Sequence, residues 1–538
     1  MKTLKTPRML CAFMLALSMM TASLLRGGIF TTLNNNDPAP MYTTAYTYNY
    51  LNTYYKEFLK GHMKTPYRES FVFDITPFYQ RATTGWNYLG NKEELGNLQG
   101  RWNMIALLPF NNIWCPTTLP IPACTAPVPP IENLSSGADL PCGQQFPTDV
   151  VAIRDQLLIA IANNFTSNSS YPADLHSIQG LLQIQQTPGL QGNFGYFSVP
   201  ITYRKTGLRF NLQGMLFKDI GLTLCGGVAS IYQLPSFTDL TSTTTANNPF
   251  STSGGGPDFV SSATWVSITK NISAELMANN CKIARAYGYD IGLFRAASIE
   301  DLNGELFWRH AIPINKHARL IPTSSLHETW TKFLFTPFFA LGGSIALAKE
   351  KCYSKKFSLP FGNNGSNAFR VRAGLSLDFF DTVELAGEVG FTHFQSRVLQ
   401  CPPFFAVPNN GSQEGIFPFG TTVCWRPGNN THATLTLNAY NFWSTVSYYL
   451  QYVVVSHAKD EIILPGQPST GPGTPCSSTA FNPCVPHERS WWKTNMFNTA
   501  LNVEISPNFR LGGGAQISLA GTNVYNVTTF LITLEMGF

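Results

Sequence analysis

The chain has 538 residues, of which 12% are charged and 13% aromatic. Soluble domains carry about 25% charge, so half of the usual solvating charge is missing, while aromatics on this scale exclude a disordered chain. Past the N-terminus no apolar run approaches the ~20 residues of a membrane helix, which excludes a helical membrane bundle.

The formal net charge of +5 falls once Lys2, Lys5 and Arg8 are set aside, since that first segment holds no acid. What remains is no electrostatic footprint for nucleic acid. These basic residues precede the apolar stretch Met9–Met20, and the small residues Thr21-Ala22-Ser23 follow it. That is the order of a cleaved secretory signal peptide over residues 1–23. Residues 24–69, with Tyr42, Tyr46, Tyr48, Tyr50, Tyr54 and Tyr55, read as an N-terminal periplasmic tail or hatch.

From residue 70 the apolar period is two. Strand candidates open with 70–80 and 101–110. A non-barrel insertion over 111–192 follows, holding an amphipathic helix at Asp149–Phe165, and then a candidate at 193–203. Leu208, Phe210, Leu212 and Leu216 alternate with Arg209, Asn211 and Gln213, turn at Lys218-Asp219, and resume as Leu222, Leu224, Gly226 and Val228. A long outer loop over 233–302, with a second candidate helix at Ser273–Tyr287, leads to strands at 304–314 and 333–347. The clearest hairpin joins Phe369–Phe379 to Val383–Phe391 through Asp381-Thr382. Further hairpins pair Ala433–Ala439 with Val446–Val454 and Leu501–Ile505 with Phe509–Leu519, and a last strand spans 528–538. The count is about 14 antiparallel strands (range 12–16) in an all-β up-and-down barrel over 70–538. Tight turns lie at one end and long Ser/Thr/Asn/Gly/Pro-rich loops at the other, the asymmetry of a transmembrane barrel.

Size decides which face is greasy. An eight-stranded barrel is filled by side chains, but a much larger ring leaves a channel, so an apolar interior would be a void. The apolar set therefore faces lipid, and Arg209, Arg370, Arg372, Glu384, Glu388, Glu504, Arg510, Gln516 and Glu535 line the lumen. Glu504 and Arg510 fall opposite each other across the Pro507 turn as a cross-strand ion pair. Aromatics gather at both strand ends as interfacial belts, among them Phe217, Phe379 and Phe509 at the tight turns, and Tyr232, Phe369, Phe394 and Trp492 near the long loops.

Cysteines in an exported chain point to disulfides, and none has zinc spacing. Cys401 with Cys424, and Cys476 with Cys484, each fall within one loop and are paired there. Cys225 best suits a buried free thiol.

In the closing strand Phe530, Ile532, Leu534, Met536 and Phe538 share one apolar parity, and the strand finishes on Phe. This resembles the C-terminal insertion signal of Gram-negative outer-membrane β-barrels of porin-like type. The cysteine-bearing loops resemble, in character, those of chlamydial-type major outer-membrane proteins. The resemblance implies a multi-pass outer-membrane protein exported through the periplasm. Its partners would be outer-membrane lipid, the barrel-insertion machinery and small solutes, with room for a homo-oligomer.

The function expected first is a porin-like channel for small hydrophilic solutes and ions. Alternatives are a plugged barrel for hydrophobic solutes, for which residues 24–69 would be the hatch, and a surface adhesin or structural envelope protein. His393 at the rim and His432 across the loop have no suitably placed serine, so the chain is read as non-enzymatic. Without a phosphate loop or metal spacing, no cofactor is expected. Deleting Phe538 should lower outer-membrane yield and leave unfolded chain in the periplasm; wild-type levels of heat-modifiable folded protein would contradict this.

Overall fold

The computed structural model describes residues 71–98, 102–103, 196–217, 219–239, 290–310, 312–313, 333–350, 358–359, 361–379, 383–399, 403–405, 416–420, 423–443, 445–463, 490–506 and 509–537, with isolated positions between. The signal peptide, the tail over 24–69, the whole 111–192 insertion with its helix, Cys401, Cys476, Cys484 and Phe538 lie outside them. Of the second candidate helix, Ala274, Ala278, Asn279 and Cys281 are helical.

Twelve strands close into an antiparallel barrel. They are β1 (Phe71–Ala82), β2 (Ile201–Met215), β3 (Ile220–Pro235), β4 (Leu302–Arg309), β5 (Phe333–Ile345), β6 (Ala368–Phe379), β7 (Val383–Phe394), β8 (Asn430–Trp443), β9 (Val446–His457), β10 (Trp492–Ser506), β11 (Phe509–Thr522) and β12 (Thr528–Gly537). Neighbours in sequence are neighbours in the wall, and β12 pairs with β1, from Val72↔Gly537 to Arg81↔Thr528, to shut the ring. A further segment, Phe294–Ile299, pairs only with β3 and stands outside the closed ring.

The ring sits at the low end of the expected strand range for a local reason. Ile201, Tyr203, Lys205, Gly207 and Arg209 stay in one phase along an unbroken pairing with β1 and β3. The candidates at 193–203 and 208–216 are thus mostly one strand. Trp102–Asn103 and Tyr196–Ser198 pair with each other instead, in one of four small sheets outside the barrel.

Tight turns join β2 to β3, β6 to β7, β8 to β9 and β10 to β11. The longer connections lie at the other end, with two exceptions: residues 310–332, between β4 and β5, fall at the tight-turn end, and the long-loop end holds one short link. Asn523–Val527 links β11 to β12 directly, with Asn523 in the left-handed region at φ 54°, where Asn is tolerated.

The two faces differ as alternation requires. Leu208, Phe210, Leu375, Val389, Leu435, Leu501, Phe530 and Ile532 point outward and are exposed, whereas Asp74, Lys205, Glu305, His432, Asn498 and Gln516 point inward and are buried. This is the inside-out pattern of a barrel that spans a membrane, where pairing satisfies every backbone group of the wall. Leu375→Arg should therefore cost about 2–4 kcal/mol of stability, read by urea unfolding of the refolded protein in a bilayer. An unchanged midpoint would contradict the outward assignment.

Candidate functional site: the inward face of the barrel

Three charge clusters dominate the inner wall. The first is built by a bulge. Val228 pairs with Ile299, yet Cys225 pairs with Asn303, so the register slips by one residue at Glu300–Asp301, and such a bulge re-aims side chains. Glu300 turns inward onto β2, with its Oε1 2.7 Å from Lys205 Nζ and its Oε2 2.8 Å from Arg209 Nε. The Arg209 guanidinium also lies 4.0 Å from the centre of the Phe78 ring. Gly227 makes room for this cluster, since a Cβ there would come within 3.0 Å of Glu300 Oε2.

The second cluster draws side chains from four strands. Arg372 on β6 donates from Nε to Glu305 Oε1 of β4 at 2.9 Å and from Nη1 to Glu388 Oε1 of β7 at 3.0 Å. His432 on β8 approaches the same Glu388 oxygen through Nε2 at 3.1 Å. The imidazole fits because its cross-strand neighbour is Gly390, where a Cβ would lie 2.1 Å from the ring. One cation thus bridges two carboxylates, each accepting charge-assisted bonds.

The third cluster lies near the tight-turn end. Arg510 Nη2 is 3.5 Å from Glu504 Oε2, and its Nη1 is 3.9 Å from Glu535 Oε1. Glu535 pairs in register with Asp74, whose Oδ2 accepts from Asn211 Nδ2 at 3.2 Å.

Between the clusters runs a band of uncharged polar residues. The pairings Gln80↔Thr529, Thr529↔Gln516, Gln516↔Asn498, Asn498↔Gln451 and Gln451↔Thr436 carry one continuous inward row across β1, β12, β11, β10, β9 and β8. Asn498 Nδ2 donates to Gln451 Oε1 at 2.9 Å, and Gln451 Nε2 to Thr436 Oγ1 at 3.2 Å. Both amide atoms of Gln516, together with Gln80 Nε2 and Gln213 Nε2, are buried without a hydrogen-bond partner in the protein.

The structure places each of the nine lumen residues named from sequence on this inner face. Arg209, Arg372, Glu388, Glu504, Arg510 and Glu535 fall in the three clusters. Glu384 accepts from Asn438 Nδ2 at 3.2 Å, and Gln516 lies in the amide row. Arg370 stands inward between Gly342 and Thr392, with its Nε buried and unbonded. Sequence reasoning missed Lys205 because it fell in the gap between two supposed strands. It missed Glu300 because alternation does not reveal a bulge, and Glu305 because 304–314 was a weak candidate. The parity of β8, readable from Ala433, Leu435 and Leu437, would have placed His432 inside.

Other expectations resolve differently. Phe394 and Trp492 face inward and are buried, so they are not part of a lipid belt. His457 stacks on Trp492 at 5.5 Å and meets Phe394 edge-on. Their parity is that of Thr392 and Thr494, which the rim position concealed. His393 points outward to Asn429 Oδ1 at 2.9 Å, on the face opposite His432. Cys225 and Cys424 are free thiols, so Cys424 is outside the disulfide expected for it. Its neighbours Val423 and Trp425 are fully buried on the other face of their strand. Outside the wall, at the long-loop end, burial pushes the Tyr525 phenol up. In the last strand Phe530 and Ile532 are each 56% exposed on the outward face, which Leu534 and Met536 share.

No family model matches the chain, and no curated protein does. Among solved structures, an outer-membrane channel from Pseudomonas putida F1 is similar at a TM-score of 0.39 and 7% identity, covering 87% of this chain and 96% of its own. OprD of Pseudomonas aeruginosa gives 0.24 at 7% identity, over 64% of this chain and 85% of its own. The β-domain of the Bordetella autotransporter Brka gives 0.27 at 9% identity, over 64% and 96%.

Removing Arg372 alone leaves two carboxylates facing each other in a buried wall. Arg372→Ala should cost about 3 kcal/mol. The triple variant Arg372→Ala, Glu305→Gln, Glu388→Gln should recover most of that in the same unfolding assay. A triple variant no more stable than the single would contradict the bridging role.

Proposed function

We propose that the protein is an outer-membrane channel that passes small hydrophilic solutes and ions through the barrel interior. The amide row carries this reading. Buried amide groups are almost always hydrogen-bonded, to protein or to ordered water; both amide atoms of Gln516 and the Nε2 groups of Gln80 and Gln213 have no protein partner, which fits a hydrated interior. A wall of paired charges and hydrated amides is a lining along which ions and polar solutes can exchange their hydration shells. Outer-membrane placement is supported by the export signal read in residues 1–23 and by the outward parity of Phe530 and Ile532 in the closing strand. On this reading the protein's partners are outer-membrane lipid, the insertion machinery that recognises that strand, and the solutes themselves; a catalytic step has no part in it.

The refolded protein in a planar bilayer should give discrete conductance steps. Arg370 stands on the inner face outside the three charge clusters, with its Nε buried and unbonded, so it serves as a reporter of selectivity. Arg370→Ala should keep the conductance and shift the reversal potential in a salt gradient toward cations. A silent wild-type protein, or a reversal potential that does not move, would overturn the reading.

A further inference from the structure

Charge is almost absent from the outward face, and where it occurs it is one-sided. Among the residues whose side chains are described, the charged groups on the outward parity of the wall are Arg81, Arg204, Arg295 and Lys493. All are basic, and all lie toward the long-loop end of their strands. The first three form one feature. Arg81 of β1 pairs directly with Arg204 of β2, Arg204 pairs with Tyr232 of β3, and Tyr232 pairs with Arg295 of the segment Phe294–Ile299. The Arg204 guanidinium lies 6.0 Å from the centre of the Tyr232 ring. Three strand spacings of about 4.8 Å put the whole row within ~15 Å.

Like charges placed directly opposite on one face of a sheet repel, and here the repulsion is unrelieved from within. All three arginines are exposed, and among the described residues no carboxylate pairs with any of them. On the inner wall, by contrast, Arg209, Arg372 and Arg510 each meet a carboxylate. Below the row, toward the tight turns, lies an apolar field that includes Leu208, Phe210, Val228 and Ile299, each more than 40% exposed. From Arg204 to Met215 the strand, at about 3.4 Å per residue and a tilt of about 45°, crosses an apolar band about 25 Å tall. The arginines therefore stand at headgroup height, and the apolar field stands where acyl chains lie.

We propose that Arg81, Arg204 and Arg295, with Tyr232 between them, form a docking site on the outer wall for the phosphate headgroup of an anionic lipid in the leaflet on the long-loop side. Guanidinium forks match phosphate oxygens bidentately, and one phosphate between Arg81 and Arg204 relieves their mutual repulsion. The site rests on the membrane-spanning reading of the barrel and is independent of what passes through the lumen.

The test uses full-length protein refolded into phosphatidylcholine vesicles containing a minor fraction of phosphatidic acid, with diacylglycerol of the same chains as the phosphate-free control. Lipid carried through mild detergent extraction is read by native mass spectrometry. The wild-type protein should retain phosphatidic acid over diacylglycerol. The variant Arg81→Gln, Arg204→Gln, Arg295→Gln should bind it roughly tenfold to a hundredfold more weakly while inserting into pure phosphatidylcholine as well as the wild type. Inorganic phosphate in millimolar excess should leave retention in place, because a free anion lacks the acyl chains that lie on Leu208 and Phe210. Equal retention by the two proteins, or displacement by inorganic phosphate alone, would overturn the lipid site with the barrel reading intact. Failure of both proteins to enter any vesicle would overturn the membrane reading and the site with it.

Discussion

Every other feature of this molecule depends on the pairing of β12 with β1. Within lipid an unpaired N–H or C=O costs several kcal/mol, so a sheet that crosses the hydrocarbon must have no edge. The register from Val72↔Gly537 to Arg81↔Thr528 removes the last one. Closure also imposes the division of labour between faces. Once the ring is shut, each strand has one side in oil and one side in a confined polar space, and alternation along the chain becomes a strict sorting rule.

Inside that space the wall is organised by size as much as by charge. Gly227 and Gly390 stand where any Cβ would strike Glu300 or His432, so the large ionic groups are set against neighbours that have no side chain. Buried ion pairs gain little net stability against apolar replacements, since desolvation offsets most of their attraction. Their effect is on geometry. Arg372 joins β4, β6 and β7, and Glu300 joins the bulged edge to β2. These ties brace the wall where tight turns do not.

Much of this was legible in the residues. Hairpins such as Phe369–Phe379 with Val383–Phe391 declare their strands, their turn and both faces through strict alternation. The inward position of Arg370, Arg372, Glu384 and Glu388 follows from the same parity. The missed features share one physical origin, which is that alternation reports a phase and cannot report a break in it. The bulge at Glu300–Asp301 changes phase within a strand, and the unbroken run from Ile201 to Met215 keeps phase where polar residues suggested a gap. At the rims, Phe394 and Trp492 show a second limit. Aromatic character suits both a headgroup belt and a packed inner cap around His457, and only the count of residues from the strand's centre separates the two.

Closure has a kinetic side as well. The β12–β1 contact joins residues separated by nearly the whole chain, whereas every hairpin pairing is local, and contacts across long stretches of chain form late. Until the seam shuts, β1 and β12 are two raw edges, each a template for strand addition by another copy. The most exposed moment in the life of this protein is therefore the interval between hairpin formation and sealing. An assembly route that holds β12 until β1 arrives would protect the chain during that interval.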